Sequence, residues 1–179
     1  MPVEGPLRVV REFVNTYDVE KDVEALPDAG DLTAWLRYAG LLDESSTAGD
    51  TDLLHARTLR EGIRELLISG SAAVLDEAAE RVRLRPRFTP DGLDFTADGT
   101  PADRALGRLL AIIARAMADG SWQRLKVCDN DTCRWAYYDS SRSGAGRWCS
   151  MAVCGNRRKA QAYRNRRRGG EADRKSSGA

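Results

Sequence analysis

The sequence predicts a mainly α fold with one small β-hairpin: a helical N-terminal domain followed by a compact four-cysteine module. Three observations carry this. Before Gly120, apolar residues recur at helical spacing in successive segments bounded by cap residues. One stretch, Arg85–Asp98, breaks that period around the turn sequence TPDG. All four cysteines of the 179-residue chain fall between Cys128 and Cys154.

The elements follow in order. Leu7, Val9, Val10, Phe13, Val14 and Tyr17 repeat at near-helical spacing and predict an amphipathic first helix. Asp31, LTAWLRYA and Gly40 read as an N-cap, a short helix and its C′ glycine. Asp50-Thr51 opens a longer helix, DLLHARTLREGIRELLISG, with Leu54, Leu59, Ile63, Leu66 and Leu67 expected on its inner face. Ala72–Leu84, rich in Ala, Glu and Arg, predicts a further helix. RPRF and LDFTA flank TPDG as the two strands of the hairpin. Thr100-Pro101 then caps and starts a helix that ends at Gly120. Its residues Leu106, Leu109, Leu110, Ile112, Ile113 and Met117 cover a wide apolar arc, which places it at the centre of the core. The expected organisation is a helical domain over 1–120, a finger over 121–168 and a polar, disordered tail over 169–179.

The overall charge of +1 hides a division. Residues 1–127 carry 16 Lys/Arg against 22 Asp/Glu, whereas residues 128–168 carry 10 against 3. An acidic body is followed by a basic segment, and such asymmetry points to an anionic partner for the basic part. No apolar run approaches the roughly 18 residues of a membrane-spanning helix, so no membrane partner is expected. The first residues lack the apolar stretch of a secretory signal, and a cytoplasmic location is the expectation. No Gly-rich phosphate loop, nucleophile elbow or His-containing triad appears, and no enzymatic role is expected. His55, the only histidine, reads as a packing residue, and Asp50, Asp52, Glu61 and Glu65 read as solvated helix faces.

The cysteine spacing is Cys128-x4-Cys133-x15-Cys149-x4-Cys154. Two close pairs joined by a longer loop suit a structural zinc ion, which takes four thiolates tetrahedrally and leaves no open position for substrate. The alternatives are two disulfides or buried free thiols. A reducing compartment favours metal, and so does size: a polar segment of about 40 residues seldom folds without a staple. Zinc supplies about 10–16 kcal/mol in small modules. Trp135, Tyr137, Tyr138 and Trp148 are the candidate small core around the metal, with base stacking as the alternative role.

The segment CxxxxC followed by YYDSSRSGAGRWCSMAVCGNRRKAQAYRNRRR closely resembles the CGNR zinc finger, whose signature falls here at Cys154-Gly155-Asn156-Arg157. Upstream, EFVNT at Glu12–Thr16 and DLTAWLRYAGLL at Asp31–Leu42 resemble the ABATE domain that usually precedes this finger. The resemblance implies a bacterial protein with a zinc-binding C-terminal module and a stress-related role in transcription regulation through DNA.

The basic residues support an anionic partner independently. Asn156 is a candidate cap for a helix through RRKAQAYRNRRR. On that helix Arg157, Gln161, Arg164 and Arg168 share a face, bordered by Arg158 and Asn165, with Lys159 beside them. Arginine pairs with phosphate or guanine, and Asn or Gln with adenine. Arg142 and Arg147, in the SSRSGAGR loop, are candidates for the adjacent backbone. The bland reading is a solvated face that also offsets the −2 charge of a zinc tetrathiolate. The sequence thus favours a regulator that binds double-stranded DNA through its finger, while the helical domain senses a small-molecule effector or forms a homodimer. Asn15 and Thr16 are candidate ligand-binding residues, although a polar pair at a helix end also serves as a cap or turn. Two other readings stay open: a zinc-stabilised module that binds an acidic protein, and RNA binding.

Overall fold

The computed structural model describes residues 4–90, 92–160 and 164 of the chain. Five helices build the body: α1 (Leu7–Val14), α2 (Ala29–Tyr38), α3 (Asp50–Ser69), α4 (Ala73–Arg81) and α5 (Pro101–Asp119). Three two-stranded antiparallel hairpins accompany them: β1 (Tyr17–Asp18) with β2 (Val23–Glu24), β3 (Arg85–Thr89) with β4 (Gly92–Thr96), and β5 (Leu125–Val127) with β6 (Ala136–Tyr138). The mainly α class is as the periodicity implies. The first and third hairpins are additions. Strands of two or three residues are too short to show a period.

The caps explain the helix boundaries. The Thr100 hydroxyl accepts from the Asp103 amide at 3.0 Å, and the Thr100 amide donates back to the Asp103 carboxylate at 3.1 Å. With Pro101 in the first turn this reciprocal box starts α5 where expected. Helix α2 begins earlier than predicted. Asp28 is its cap and accepts from the Asp31 amide at 3.0 Å, so Asp31 lies inside the first turn. Helix α1 stops at Val14, because the chain turns at Asn15 and Tyr17 enters β1.

The core is aliphatic and centred on α1, α3 and α5. Leu7, Val10, Phe13 and Val14 of α1 meet Leu59 and Ile63 of α3 and Leu106, Leu109 and Ile113 of α5. Two expected core residues face out instead: Leu54 is 64% exposed and Met117 44%. The reason lies on α3, whose inner face runs through Leu53, Ala56, Leu59, Arg60, Ile63 and Arg64. Two arginines occupy core positions there, and apolar periodicity alone cannot place them. Arg60 is anchored by Glu24 through two bonds of 2.7 and 2.8 Å and by Glu61 at 2.8 Å. A buried guanidinium is tolerated only when paired in this way.

The core does not stop at Gly120. Leu125 and Ala136, on the third hairpin, belong to the same buried cluster as α1, α3 and α5, and Tyr138 packs against it. Alternation along β6 therefore sends Ala136 and Tyr138 to the body, while Trp135 packs with the cysteines. Tyr138 is not part of a separate small core around the metal. Residues 165–179, including the expected tail, lie outside the described residues.

Candidate metal centre and nucleic-acid interface

The first cysteine pair sits on a tight turn that leaves β5. The Cys128 amide donates to the Trp135 carbonyl at 2.9 Å and closes the base of the turn. At its tip the Cys133 amide donates to the Asn130 carbonyl at 2.8 Å, and the Arg134 amide shares that acceptor at 3.2 Å. Arg134 has a left-handed φ of 51°, which few residues with a Cβ adopt. The second pair frames a single π-helical turn, Met151–Gly155, capped by the Ser150 hydroxyl, which accepts from the Val153 amide at 3.3 Å. Gly155 lets the Met151 and Trp148 side chains close over this turn. A Cβ would lie 2.9 Å from the Met151 sulfur and 3.3 Å from the Trp148 ring. Trp148 and Trp135 pack against the cysteines.

All four sulfurs lie within 4.8 Å of one another. Cys133 and Cys149 are 3.7 Å apart, as are Cys149 and Cys154. Tetrahedral thiolates about 2.3 Å from zinc stand about 3.8 Å apart, close to the two separations of 3.7 Å, so the cluster fits that ion. Disulfide sulfurs would stand at about 2 Å, and all four thiols are unbridged. Asn130, itself buried, points its side-chain amide at the Cys154 sulfur at 3.9 Å and favours the anionic form. Burial pushes the Cys133 thiol up to about 11. Burial, reinforced by the neighbouring Cys133, raises Cys149 as well. Cys154 moves the other way: burial opposes its ionisation, but hydrogen bonds from Cys133, Cys128 and Cys149 outweigh it. Without a cation Cys133 and Cys149 therefore keep their protons at neutral pH, and a bound metal displaces them. The site binds one structural zinc ion. Four protein ligands close its coordination sphere, the arrangement of a structural site.

The loop between the pairs is built around Lys126. Its ammonium donates to the Asp139 carboxylate at 2.8 Å and to the Gly146 carbonyl at 3.1 Å, and it also reaches the Gly144 carbonyl. The Asp139 carboxylate accepts from the Ser141 and Gly146 amides at 3.0 and 2.7 Å. These donors, the lysine first, hold the Asp139 carboxyl far below the usual carboxylate range. A Cβ on Gly146 would stand 3.0 Å from that carboxylate, so a larger residue there would push against the pinned side chain. The result is a pinned loop with Arg142 exposed at its tip. The motif YYDSSR contains Asp139 but carries no sign of its partner Lys126, which lies on β5.

The basic candidates separate into two groups. Arg147 is engaged: it bonds Asp129 at 2.6 Å and lies 5.2 Å over the Trp148 ring, tying the two cysteine turns together. Arg157 pairs with Glu20 on the β1–β2 turn of the body. Arg142, Arg158, Lys159 and Arg164 are exposed, and none has a carboxylate partner among the described residues. Gln161, Asn165 and Arg168 lie outside the described residues. Asn156 is not the helix cap. The helix already starts at Ser150, and the Asn156 side chain donates back to the Ala152 carbonyl at 3.2 Å.

Asn15 and Thr16 are held in internal bonds. The Asn15 side chain donates to the Ala136 carbonyl and accepts from the Ala136 amide, both at 2.8 Å, like a neighbouring strand. The Thr16 hydroxyl donates to the Phe13 carbonyl at 2.7 Å and accepts from Arg60 at 3.2 Å.

A helical body joined to a closed four-cysteine centre defines a zinc-finger protein. The comparisons name the two parts. Residues 124–167 match the CGNR zinc finger. Residues 7–120 match the ABATE family, described as "Putative stress-induced transcription regulator". The second match spans more than half of the chain, and the chain belongs to the ABATE family. No curated protein matches the sequence.

Proposed function

We propose that this protein is a DNA-binding transcription regulator that docks on duplex DNA through its finger. The observation that carries the reading is the set of exposed cations Arg142, Arg158, Lys159 and Arg164, which have no carboxylate partner among the described residues, on the segment that carries the zinc centre. A zinc tetrathiolate needs two positive charges for neutrality, and the cations on this segment exceed that need. In this reading the protein works in the cytoplasm and has no catalytic role. The body carries the response to an effector or the association of two copies. A cavity of about 240 Å³ between α3 and α4, lined by His55, Thr58, Glu77 and Arg81 among others, is the place where an effector would bind.

The test is a mobility shift across a salt series with the intact zinc-loaded protein. With about five phosphate contacts, log K against log salt has a slope near −4.5, and affinity falls roughly 500-fold between 50 and 200 mM. Arg164→Ala weakens binding to all duplexes and lowers the slope by about one. No binding at 50 mM salt overturns the reading. One observation favours a second reading: the Arg157–Glu20 pair shows this basic segment already meeting an acidic group. A finger that serves an acidic protein partner would bind duplex weakly even at low salt. It would need the same arginines to retain that partner.

A further inference from the structure

One buried side chain of the body reaches the turn that carries two zinc ligands. Arg64, on α3, is 5% exposed. Its Nη2 donates to the carbonyls of Val14 at 2.8 Å and Tyr17 at 3.1 Å, on either side of the Asn15 turn. Its Nε bonds Glu61 at 3.0 Å. Its remaining nitrogen, Nη1, donates to the carbonyl of Arg134 at 2.7 Å. Arg134 directly follows the ligand Cys133 and is the residue of this turn with a left-handed φ. Two residues further on, Asn15 holds both polar groups of the Ala136 backbone. The body thus grips the chain on each side of Trp135, and the Trp135 carbonyl closes the turn on Cys128.

We propose that Arg64 is a positioning residue of the zinc centre: from inside the body it holds the Cys128–Cys133 turn in its ligating shape and thereby sets how fast the finger releases its metal. A sparsely populated backbone conformation persists only when its surroundings hold it, and the Arg64 guanidinium supplies that hold on the carbonyl of Arg134. Only a planar fork with several fixed N–H groups reaches Arg134, Val14 and Tyr17 together. A lysine keeps the charge but not the three directions. By linkage, any ligand or partner that moves the α1–β1 turn and so changes zinc affinity has its own affinity changed by zinc occupancy. The proposal rests on the zinc ion and not on DNA binding, and it stands if duplex binding fails.

The experiment uses the full-length, zinc-loaded protein and follows zinc transfer to an excess of a chromogenic chelator. Arg64→Lys and Arg64→Met are compared with Leu59→Ala, a core truncation on α3 that does not touch the turn. Both Arg64 variants are expected to release zinc about 10-fold faster or more, the size typical of lost outer-shell support. Leu59→Ala is expected to release it at the wild-type rate although it melts earlier. Cobalt substituted for zinc gives a second readout, with visible bands that shift in Arg64→Lys and not in Leu59→Ala. Should Arg64→Met fail to fold, Arg64→Lys decides alone. Wild-type release and unshifted cobalt bands in Arg64→Lys overturn the proposal. Equal acceleration in Leu59→Ala also overturns it, because release would then follow general destabilisation.

Discussion

The body and the finger reach order by different physics. In the body, aliphatic side chains from three helices fill one interior, and even its two buried arginines are paired. In the finger, a lysine inside a loop, an asparagine beside a sulfur and two tryptophans surround four thiols. The body has area to bury. The finger has little, so a metal ion and a dense polar network stand in for it. The comparison teaches that the two regions should respond to different insults. They are not independent, since Leu125 and Ala136 of the hairpin sit in the body's own core.

The sharpest way to separate them is to remove a ligand. Cys149→Ser should lose the one equivalent of zinc found by elemental analysis, and with it about 10 kcal/mol or more of local stabilisation. Far-ultraviolet dichroism should retain most of its helical signal, because α1 to α5 contain no cysteine. Collapse of the whole signal would mean that the body depends on the metal through the core it shares with the third hairpin.

Acid should act on the finger first. The metal-free thiols Cys133 and Cys149 are raised by burial, so they are protonated at neutral pH and must lose protons when zinc binds. Apparent zinc affinity therefore rises with pH while either thiol is protonated, with Cys133 contributing up to about 11. Loading the apo protein in a weakly buffered solution should release protons. Uptake, or no change, would contradict the sign.

The joint is probed by Asn15→Ala. It leaves the Ala136 amide and carbonyl without their partner in a buried setting, at a cost of about 2–3 kcal/mol. Thermal or denaturant unfolding reads the loss. The change should stay below that of the ligand mutant, and zinc should remain bound at one equivalent.

The smallest effect distinguishes two candidate caps. Ser150→Ala should lower the stability of the finger by about 1 kcal/mol. Asn156→Ala, which removes only a bond back to Ala152, should cost less. The reverse order would restore Asn156 as the start of the helix.

Much was legible in the chain alone. Helix α5 was readable to the residue, because Thr100, Pro101 and Gly120 act locally and carry their meaning in the sequence. The zinc cluster was readable as well, because few arrangements satisfy four cysteines at that spacing. Local propensity and metal chemistry depend on neighbours a few residues away, or on ligands whose identity is unmistakable. Tertiary structure alone decided the rest. The apolar pattern of α3 could not reveal that Arg60 and Arg64 belong inside, since their partners Glu24, Val14, Tyr17 and Arg134 lie far along the chain. The pair Asn15 and Thr16 had the chemistry of a ligand site or of a turn. Asn15 became a surrogate strand only because folding brought Ala136 to it across 121 positions. A polar side chain announces what it can bond. Which group it bonds is settled by what the fold sets beside it, and that information is not local.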